Sequence, residues 1–160
     1  VLGGAIHMVD LLLWITGERV AEVSAMGNHI ATRGTRFAHD DFVIGLLRFE
    51  SGATAKVTAN LGCVSPHFHG LKVYGTEATF INGLPDGVLY RPAPPPEGAT
   101  VTPVTSAYPG VAKGDLIHSF VEEILTGTSA DVTAEEVFAV LDVCFAIERA
   151  ARDRSPVALL

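Results

Sequence analysis

One stretch of the chain predicts a strand that is buried on both faces. Phe42–Phe49 is apolar at odd and even positions alike, whereas a strand with one wet face alternates. The tight-turn sequence Glu50-Ser51-Gly52 follows, and residues 53–61 then alternate small or apolar side chains with polar ones. We therefore predict a β-hairpin whose first strand lies inside a sheet and needs a cover on each side.

Shorter strand signals precede and follow this hairpin. Runs of β-favouring residues between turn sequences predict strands over residues 20–30, 68–75, 78–81, 88–90 and 157–160. Residues 92–109 contain too many prolines for a helix or a central strand, because proline lacks the N–H that either would use. We interpret this segment as an extended surface loop with an edge strand at residues 100–105.

Three other segments carry helix signals. Residues 6–15 form an almost unbroken apolar run, which predicts a buried helix, and Gly17 stands where a helix end favours a left-handed residue. Asp115–Thr126 and residues 133–152 have apolar side chains at helical spacing, and Thr133 with Glu136 forms a capping box. This element order predicts an α+β fold, with a mostly antiparallel open sheet and helices packed on one face.

Composition limits the class of protein. The chain has 160 residues, the length of one domain, and a formal net charge of −7, and its eleven Lys and Arg are scattered, so we expect no nucleic-acid partner. Its apolar runs are too short to span a bilayer, and we expect no membrane partner. Cys63 and Cys144 lie in strand-like and helix-like segments, which predicts buried, reduced thiols in the cytoplasm. The chain opens directly on an apolar helix, so we expect it to be part of a longer protein.

Two groups inside the first predicted helix can carry charge. His7 and Asp10 are three residues apart, so they lie on one helix face, which Leu11 and Trp14 continue. The positive end of the helix dipole favours a neutral imidazole, which can accept a proton. His7 is therefore a candidate general base with Asp10 in support. Spacing leaves a second hypothesis open, a hydrogen-bonded pair without a catalytic role.

Other histidines suggest weaker hypotheses. His67 and His69 share a strand parity with Cys63, as soft ligands of a zinc or copper site would. Pro66 interrupts that strand and no fourth ligand lies near in sequence, so we predict no metal and expect this strand end to face substrate or solvent. A second group surrounds the first turn and suits either an anionic or polyhydroxylated ligand or a solvated loop: His29, Arg33, Arg36 and His39.

Four short motifs, in this order, resemble those of one enzyme family. The segment Gly3-Gly4-Ala5-Ile6-His7-Met8-Val9-Asp10, followed by Leu-Leu-Leu-Trp and Gly17, resembles the helix that opens the second domain of the Gfo/Idh/MocA family of nicotinamide-dependent sugar and polyol oxidoreductases. Phe49-Glu-Ser-Gly52-Ala53 and Tyr74-Gly-Thr-Glu-Ala78 resemble its strand-turn motifs, and Leu159 ends a similar V-x-L tail. The resemblance implies a dihydrodipicolinate-reductase-like C-terminal domain.

The resemblance also implies roles for individual residues. The family's catalytic histidine falls on His7, and the acidic residue that follows it falls on Asp10. The family's catalytic aspartate falls on Gly3, which has no side chain, so the usual Lys/Asp/His arrangement is incomplete. Proton transfer would rest on His7 and a lysine from another domain. Apart from the resemblance, the strand end that carries His67 and His69 makes them further candidate substrate contacts.

The function that the resemblance implies is hydride transfer between NAD or NADP and a secondary alcohol of a sugar, polyol or related small molecule. No Gly-x-Gly-x-x-Gly follows a predicted strand, so the cofactor would be bound mainly by a Rossmann domain missing from this chain, and the isolated chain would be inactive. The family also implies a homodimer or homotetramer through the open sheet face. The alternative is a non-catalytic binding or oligomerisation module that has lost the aspartate.

Overall fold

The computed structural model describes residues 1–65, 68–83, 86–95, 97–105 and 114–159. The helices in these residues are α1 (Ile6–Thr16), α2 (Asp115–Thr126) and α3 (Ala134–Asp153). The strands are β1 (Val20–Asn28), β2 (Phe42–Phe49), β3 (Thr54–Asn60), β4 (Lys72–Tyr74), β5 (Thr79–Ile81), β6 (Gly87–Pro92), β7 (Ala99–Val104) and β8 (Val157–Ala158). The chain divides into two compact units, Val1–Ser65 with Gly114–Leu160, and Pro66–Lys113.

The first unit contains a four-stranded antiparallel sheet in the order β3-β2-β1-β8. The predicted hairpin is confirmed: β2 and β3 pair in register, and Gly52 in the turn between them has a φ of 91°. Only glycine adopts such an angle without strain, which explains why this turn forms where the sequence predicts it. The α+β class with antiparallel sheets is also confirmed, and the strands are divided between two separate sheets.

The core of the first unit lies between the sheet and α3, which packs chiefly on β1. Val43, Leu47 and Phe49 are buried on the helix-facing side of β2, together with Val143 and Ile147 of α3. Gly45 lies between these strand residues, and a Cβ there would be 3.1 Å from Cγ1 of Ile147. The missing side chain therefore lets α3 approach the sheet closely.

The opposite side of β2 is less covered than its apolar sequence predicts. Phe42 and Ile44 are half-buried, and Leu46 is 54% exposed. On the same face, β1 contributes Met26, which is 79% exposed, and β3 contributes Lys56, which lies opposite Leu46. Within the described residues, the sheet is thus covered by helices on one face only.

Helix α1 ends as predicted but is not buried as predicted. Gly17 has a φ of 64°, and its N–H donates to the carbonyl of Leu13 at 2.8 Å. Only Val9 is fully buried, because α1 packs on α3 through a single stripe. The opposite face is open, and Trp14 there is 79% exposed.

The two C-terminal helices differ in how they pack. In α3 the capping box is confirmed, since Thr133 and Glu136 exchange side-chain and backbone hydrogen bonds. In α2 the apolar side chains face outward, and Leu125 is 77% exposed, whereas the polar Ser119 is half-buried and accepts the N–H of Asp131 at 3.4 Å. The expectation that three helices cover the sheet is therefore wrong for α2.

The second unit contains the other antiparallel sheet, in the order β4-β5-β6-β7. The predicted edge strand in the proline-rich segment is confirmed as β7, which pairs with β6 alone. Pro103 is accommodated because an edge strand has one row of N–H groups without a ladder partner. The outer edge of the second sheet is thus formed by a proline-containing segment that cannot serve as a central strand.

The two cysteines differ in burial, and one expectation is wrong. Cys144 is buried in α3, but Cys63 is exposed, because β3 ends at Asn60 and Cys63 lies in the turn that follows. Burial raises the pKa of the Cys144 thiol to about 11. Across the described part of the chain, no helix combines the length and the apolar character needed to cross a membrane.

A first prediction concerns the contact between α3 and the sheet. Gly45→Val places methyl groups against Ile147, and we expect the free energy of unfolding in urea to fall by about 1–3 kcal/mol, the usual range for overpacking. The matched control is the double variant Gly45→Val/Ile147→Ala, in which the clash is removed. Its loss should be smaller than the sum of the two single losses, and simple additivity would contradict the proposed contact.

A second prediction concerns the thiols. Because the thiolate is the nucleophile, the folded chain at pH 8 should react with iodoacetamide at Cys63 and not at Cys144, whose pKa is raised. Mass spectrometry of the intact chain reads out the labelling. Cys63→Ser should abolish labelling of the folded chain and leave one label in urea. Rapid labelling of Cys144 in the folded state would contradict its burial.

Candidate functional site

The N-terminal part of α1 carries the two predicted catalytic residues. Ala5 is buried at the N-cap position, and its carbonyl accepts the N–H groups of Met8 and Val9 at 2.9 and 3.0 Å. His7 is consequently the second residue of the helix, and Asp10 follows on the same face. Both are exposed, so a small molecule can reach the imidazole.

His7 and Asp10 are neighbours by their positions on α1. His7 lies in the first turn of α1 and Asp10 in the second, so the two side chains share one face. At three residues apart on a helix, side chains are neighbours about 5–6 Å apart at their Cβ atoms. Asp10 can therefore act on His7 through its charge.

Gly3 precedes α1 in an open environment. A Cβ added there would meet no heavy atom within 4 Å, and the φ of Gly3 lies outside the positive region that disfavours other residues. The backbone turns here through a hydrogen bond from Gly4 N–H to the carbonyl of Val1 at 3.3 Å. The chain could thus hold an aspartate at position 3 without steric conflict, and the glycine is not required by packing.

The histidines assigned to substrate contact lie in the second unit. His67 is outside the described residues. His69 is exposed, and its carbonyl accepts a hydrogen bond from Nδ2 of Asn82 at 2.8 Å. Asn82 also bonds Leu71 through its side chain and its backbone, so it ties the segment before β4 to the end of β5. The sequence showed Asn82 only as a turn residue, because a hydrogen bond across eleven or thirteen residues has no local signal.

The predicted absence of a metal site rests on the same residues. Cys63 lies in a turn, where its Sγ is 3.5 Å from the carbonyl oxygen of Asn60. No group of three or more His, Cys, Asp or Glu able to hold a metal ion occurs in the described ranges, which do not include His67. The hypothesis of a site formed by Cys63, His67 and His69 stays untested, because His67 lies outside the described residues.

The loop between β1 and β2 is anchored by a carboxylate that sequence reasoning missed. Asp41 is 3% exposed and accepts hydrogen bonds from the backbone N–H and the hydroxyl of Thr32, at 2.7 and 2.8 Å. Its own N–H donates to the carbonyl of Asn28 at 2.9 Å. The sequence marks Asp41 only as the lead-in to β2. The anchored loop carries the basic group noted above, and His29, Arg33 and His39 line a cleft while Arg36 does not.

A family comparison identifies the first half of the chain. The model of the GFO/IDH/MocA C-terminal domain matches residues 1–81, which include α1, the sheet strands β1 to β3 and the first strands of the second unit. No curated protein is significantly similar in sequence.

Solved structures of similar fold extend over nearly the whole chain. An NAD-binding protein from Listeria innocua is 26% identical, with a TM-score of 0.71, over 97% of this chain and 46% of its own. An NAD-binding oxidoreductase from Klebsiella pneumoniae is 19% identical, with a TM-score of 0.77, over 98% of this chain and 49% of its own. A levoglucosan dehydrogenase in complex with NADH is 18% identical, with a TM-score of 0.78, over 98% of this chain and 49% of its own.

The chain spans about half the length of these structures. The family match and the fold agree with the sequence motifs that pointed to α1 and the β2–β3 hairpin. The chain belongs to the GFO/IDH/MocA family of oxidoreductases, and it corresponds to the C-terminal domain of that family.

Proposed function

We propose that this chain is the substrate-binding domain of an NAD(P)-dependent oxidoreductase that acts on a secondary alcohol of a sugar, polyol or related compound. The observation that carries the proposal is the exposed imidazole of His7 in the first turn of α1, on the face that it shares with Asp10. Free thiols at Cys63 and Cys144 agree with a reducing compartment such as the cytoplasm.

The chemistry that these residues supply is proton transfer. A ring nitrogen of His7 accepts the proton of the substrate hydroxyl, and the electron pair of the O–H bond forms the second bond of the carbonyl. The imidazolium that results carries a positive charge, which the Asp10 carboxylate on the same helix face stabilises. NAD(P), when bound, supplies the acceptor for the hydride that leaves the carbinol carbon.

The support for a nicotinamide cofactor comes from the structures of similar fold. The similar structures include an NAD-binding protein and a dehydrogenase with NADH, whereas this chain has no glycine-rich dinucleotide motif after a strand. We propose that the pyrophosphate and most of the nicotinamide are bound by a Rossmann domain outside this chain. His67 and His69 are proposed as further contacts for the hydroxyl groups of the substrate.

A second candidate function is favoured by one observation, the glycine at position 3. Gly3 leaves the proposed site with one carboxylate fewer, at a position where packing would permit a side chain. A domain of this kind could bind a polyol or assemble with copies of itself without turning substrate over. Activity separates the two functions directly.

We also propose that the open face of the first sheet binds a second copy of the chain. This face combines the exposed Met26 and Leu46 with half-buried Phe42 and Ile44, a contiguous apolar area of the kind that soluble monomers rarely expose. Its border is polar, with Thr54, Lys56 and Thr58 on β3. Apolar centres with polar rims are typical of interfaces between subunits.

The role of His7 can be tested in the complete oxidoreductase. Loss of a general base typically lowers the rate about a hundredfold to ten-thousandfold, so His7→Ala should lower kcat by that range and leave the affinity for the nucleotide nearly unchanged. Asp10→Asn is the matched control for charge and should lower kcat less. Unchanged kcat in His7→Ala, with a folded protein by circular dichroism, would contradict the proposed role.

Gly3→Asp separates the enzyme from the binding module. The open surroundings of Gly3 predict that the variant folds with an unchanged melting temperature. If the chain is a weakened member of the usual design, the added carboxylate should raise kcat/KM with a polyol substrate. No turnover by the native protein or by Gly3→Asp, across a panel of sugars and polyols with both nucleotides, would favour the module.

The proposed assembly predicts a homodimer or a larger even-numbered oligomer. Sedimentation equilibrium of the chain at micromolar concentration should give a mass of at least twice that of the monomer. Leu46→Glu places a charge at the centre of the open face and should shift the equilibrium to monomer. Glu50→Lys in the β2–β3 turn is the control and should leave the mass unchanged. A monomeric native chain would contradict the proposal.

A further inference from the structure

A cleft of about 550 Å³ lies between the β1–β2 loop and the C-terminal end of α3. Its size is within the range of sites for small organic ligands, about 300–1,000 Å³. The side chains that distinguish it are basic or titratable, and they come from both elements: His29, Arg33, His39, Arg152 and Arg154. His7 and Asp10 do not line it, so no residue of the proposed proton-transfer pair accounts for it.

The charges in the cleft are not balanced internally. Two acidic side chains, Asp40 and Glu148, line it together with three arginines, and Glu148 lies 3.6 Å from the N-terminal nitrogen of Val1. Asp40 lies 3.8 Å from Nδ1 of His29, and Arg152 bonds Asp153 at 2.9 Å. Among the described residues, neither Arg33 nor Arg154 makes an ion pair. The chain as a whole carries a net charge of −7, so this local excess of positive charge runs against its average.

The wall that carries Arg33 is held in place by buried contacts. Thr32, the residue before Arg33, donates two hydrogen bonds to the buried carboxylate of Asp41, and the N–H of Thr35 donates to the Thr32 carbonyl at 3.0 Å. Gly27 in β1 contributes space, since a Cβ there would collide with the Asp40 carboxylate. The loop backbone is thus anchored, and Arg33 extends from a defined position.

The wall that carries Arg154 has an unusual backbone. Arg154 caps α3 with φ 53° and ψ 36°, and no other non-glycine residue in the described part of the chain has a positive φ. This conformation is strained for a residue with a Cβ, and glycine is the usual occupant of such a cap. The Arg154 side chain thus starts from a cap whose backbone conformation glycine would adopt without strain.

We propose that this cleft binds a small molecule that carries a phosphate group, with Arg33 and Arg154 as its phosphate ligands. Guanidinium groups pair bidentately with phosphate oxygens, and two of them match a dianion better than a single negative charge. The volume exceeds what a free phosphate fills, so the rest of the ligand is an organic group such as a sugar. This site does not depend on the proposed hydride transfer, and it stands if that function fails.

The experiment is calorimetric titration of the chain with three probes of similar size: glucose 6-phosphate, glucuronate and glucose. We expect saturable binding of glucose 6-phosphate, binding of glucuronate at least tenfold weaker, and no binding of glucose. Equal or tighter binding of glucuronate would show that the site does not prefer a phosphate to a carboxylate, and it would overturn the assignment. Absence of saturable binding of glucose 6-phosphate would overturn the site itself.

Three variants localise the binding. Arg33→Ala and Arg154→Gly should each weaken glucose 6-phosphate binding at least tenfold. Arg36→Ala is the matched control, because Arg36 lies on the same loop and does not line the cleft, and its affinity should equal that of the native chain. A similar loss in all three variants would indicate non-specific attraction to the loop and overturn the proposal.

Arg154→Gly also separates binding from folding. Glycine fits the left-handed cap, so the melting temperature should stay the same or rise while the affinity falls. If Arg154 only stabilises the end of α3, the melting temperature should fall and the affinity should not change. That result would remove Arg154 from the site and overturn the proposal.

Discussion

The close packing of α3 on the first sheet is the contact on which the rest of the structure depends. Gly45 of β2 lies against Ile147 of the helix, and the buried residues of sheet and helix form one cluster with Val9 of α1. Because α3 occupies this face, α1 packs beside it and retains one open face. The exposure of His7 and Asp10 therefore follows from a contact made elsewhere in the core.

The same contact determines which surfaces the chain leaves open. With helices on one face of the sheet, the other face exposes Leu46 and Met26. At the end of α3, the left-handed cap at Arg154 turns the chain toward β8, which pairs with β1. The cap and the anchored β1–β2 loop border the basic cleft, so its shape depends on where α3 ends.

Several features could be predicted because their causes are local. The left-handed ends at Gly17 and Gly52, the capping box at Thr133 and the edge strand around Pro103 each follow from a few neighbouring residues. The position of His7 in the first turn of α1 follows in the same way. Some expectations about burial failed. Cys63 is exposed because β3 stops at Asn60, and α2 turns its apolar residues outward.

The elements, their order and the family could be predicted from the sequence, because periodicity, turn chemistry and motif spacing are properties of short segments. Which faces of those elements are buried followed only from their packing. The tertiary structure also showed that Asp41 anchors a loop through Thr32, and that Arg33 and Arg154, far apart in sequence, border one cleft. Burial and pairing across such distances depend on how helices and strands pack, and that packing leaves no periodic signal in the sequence.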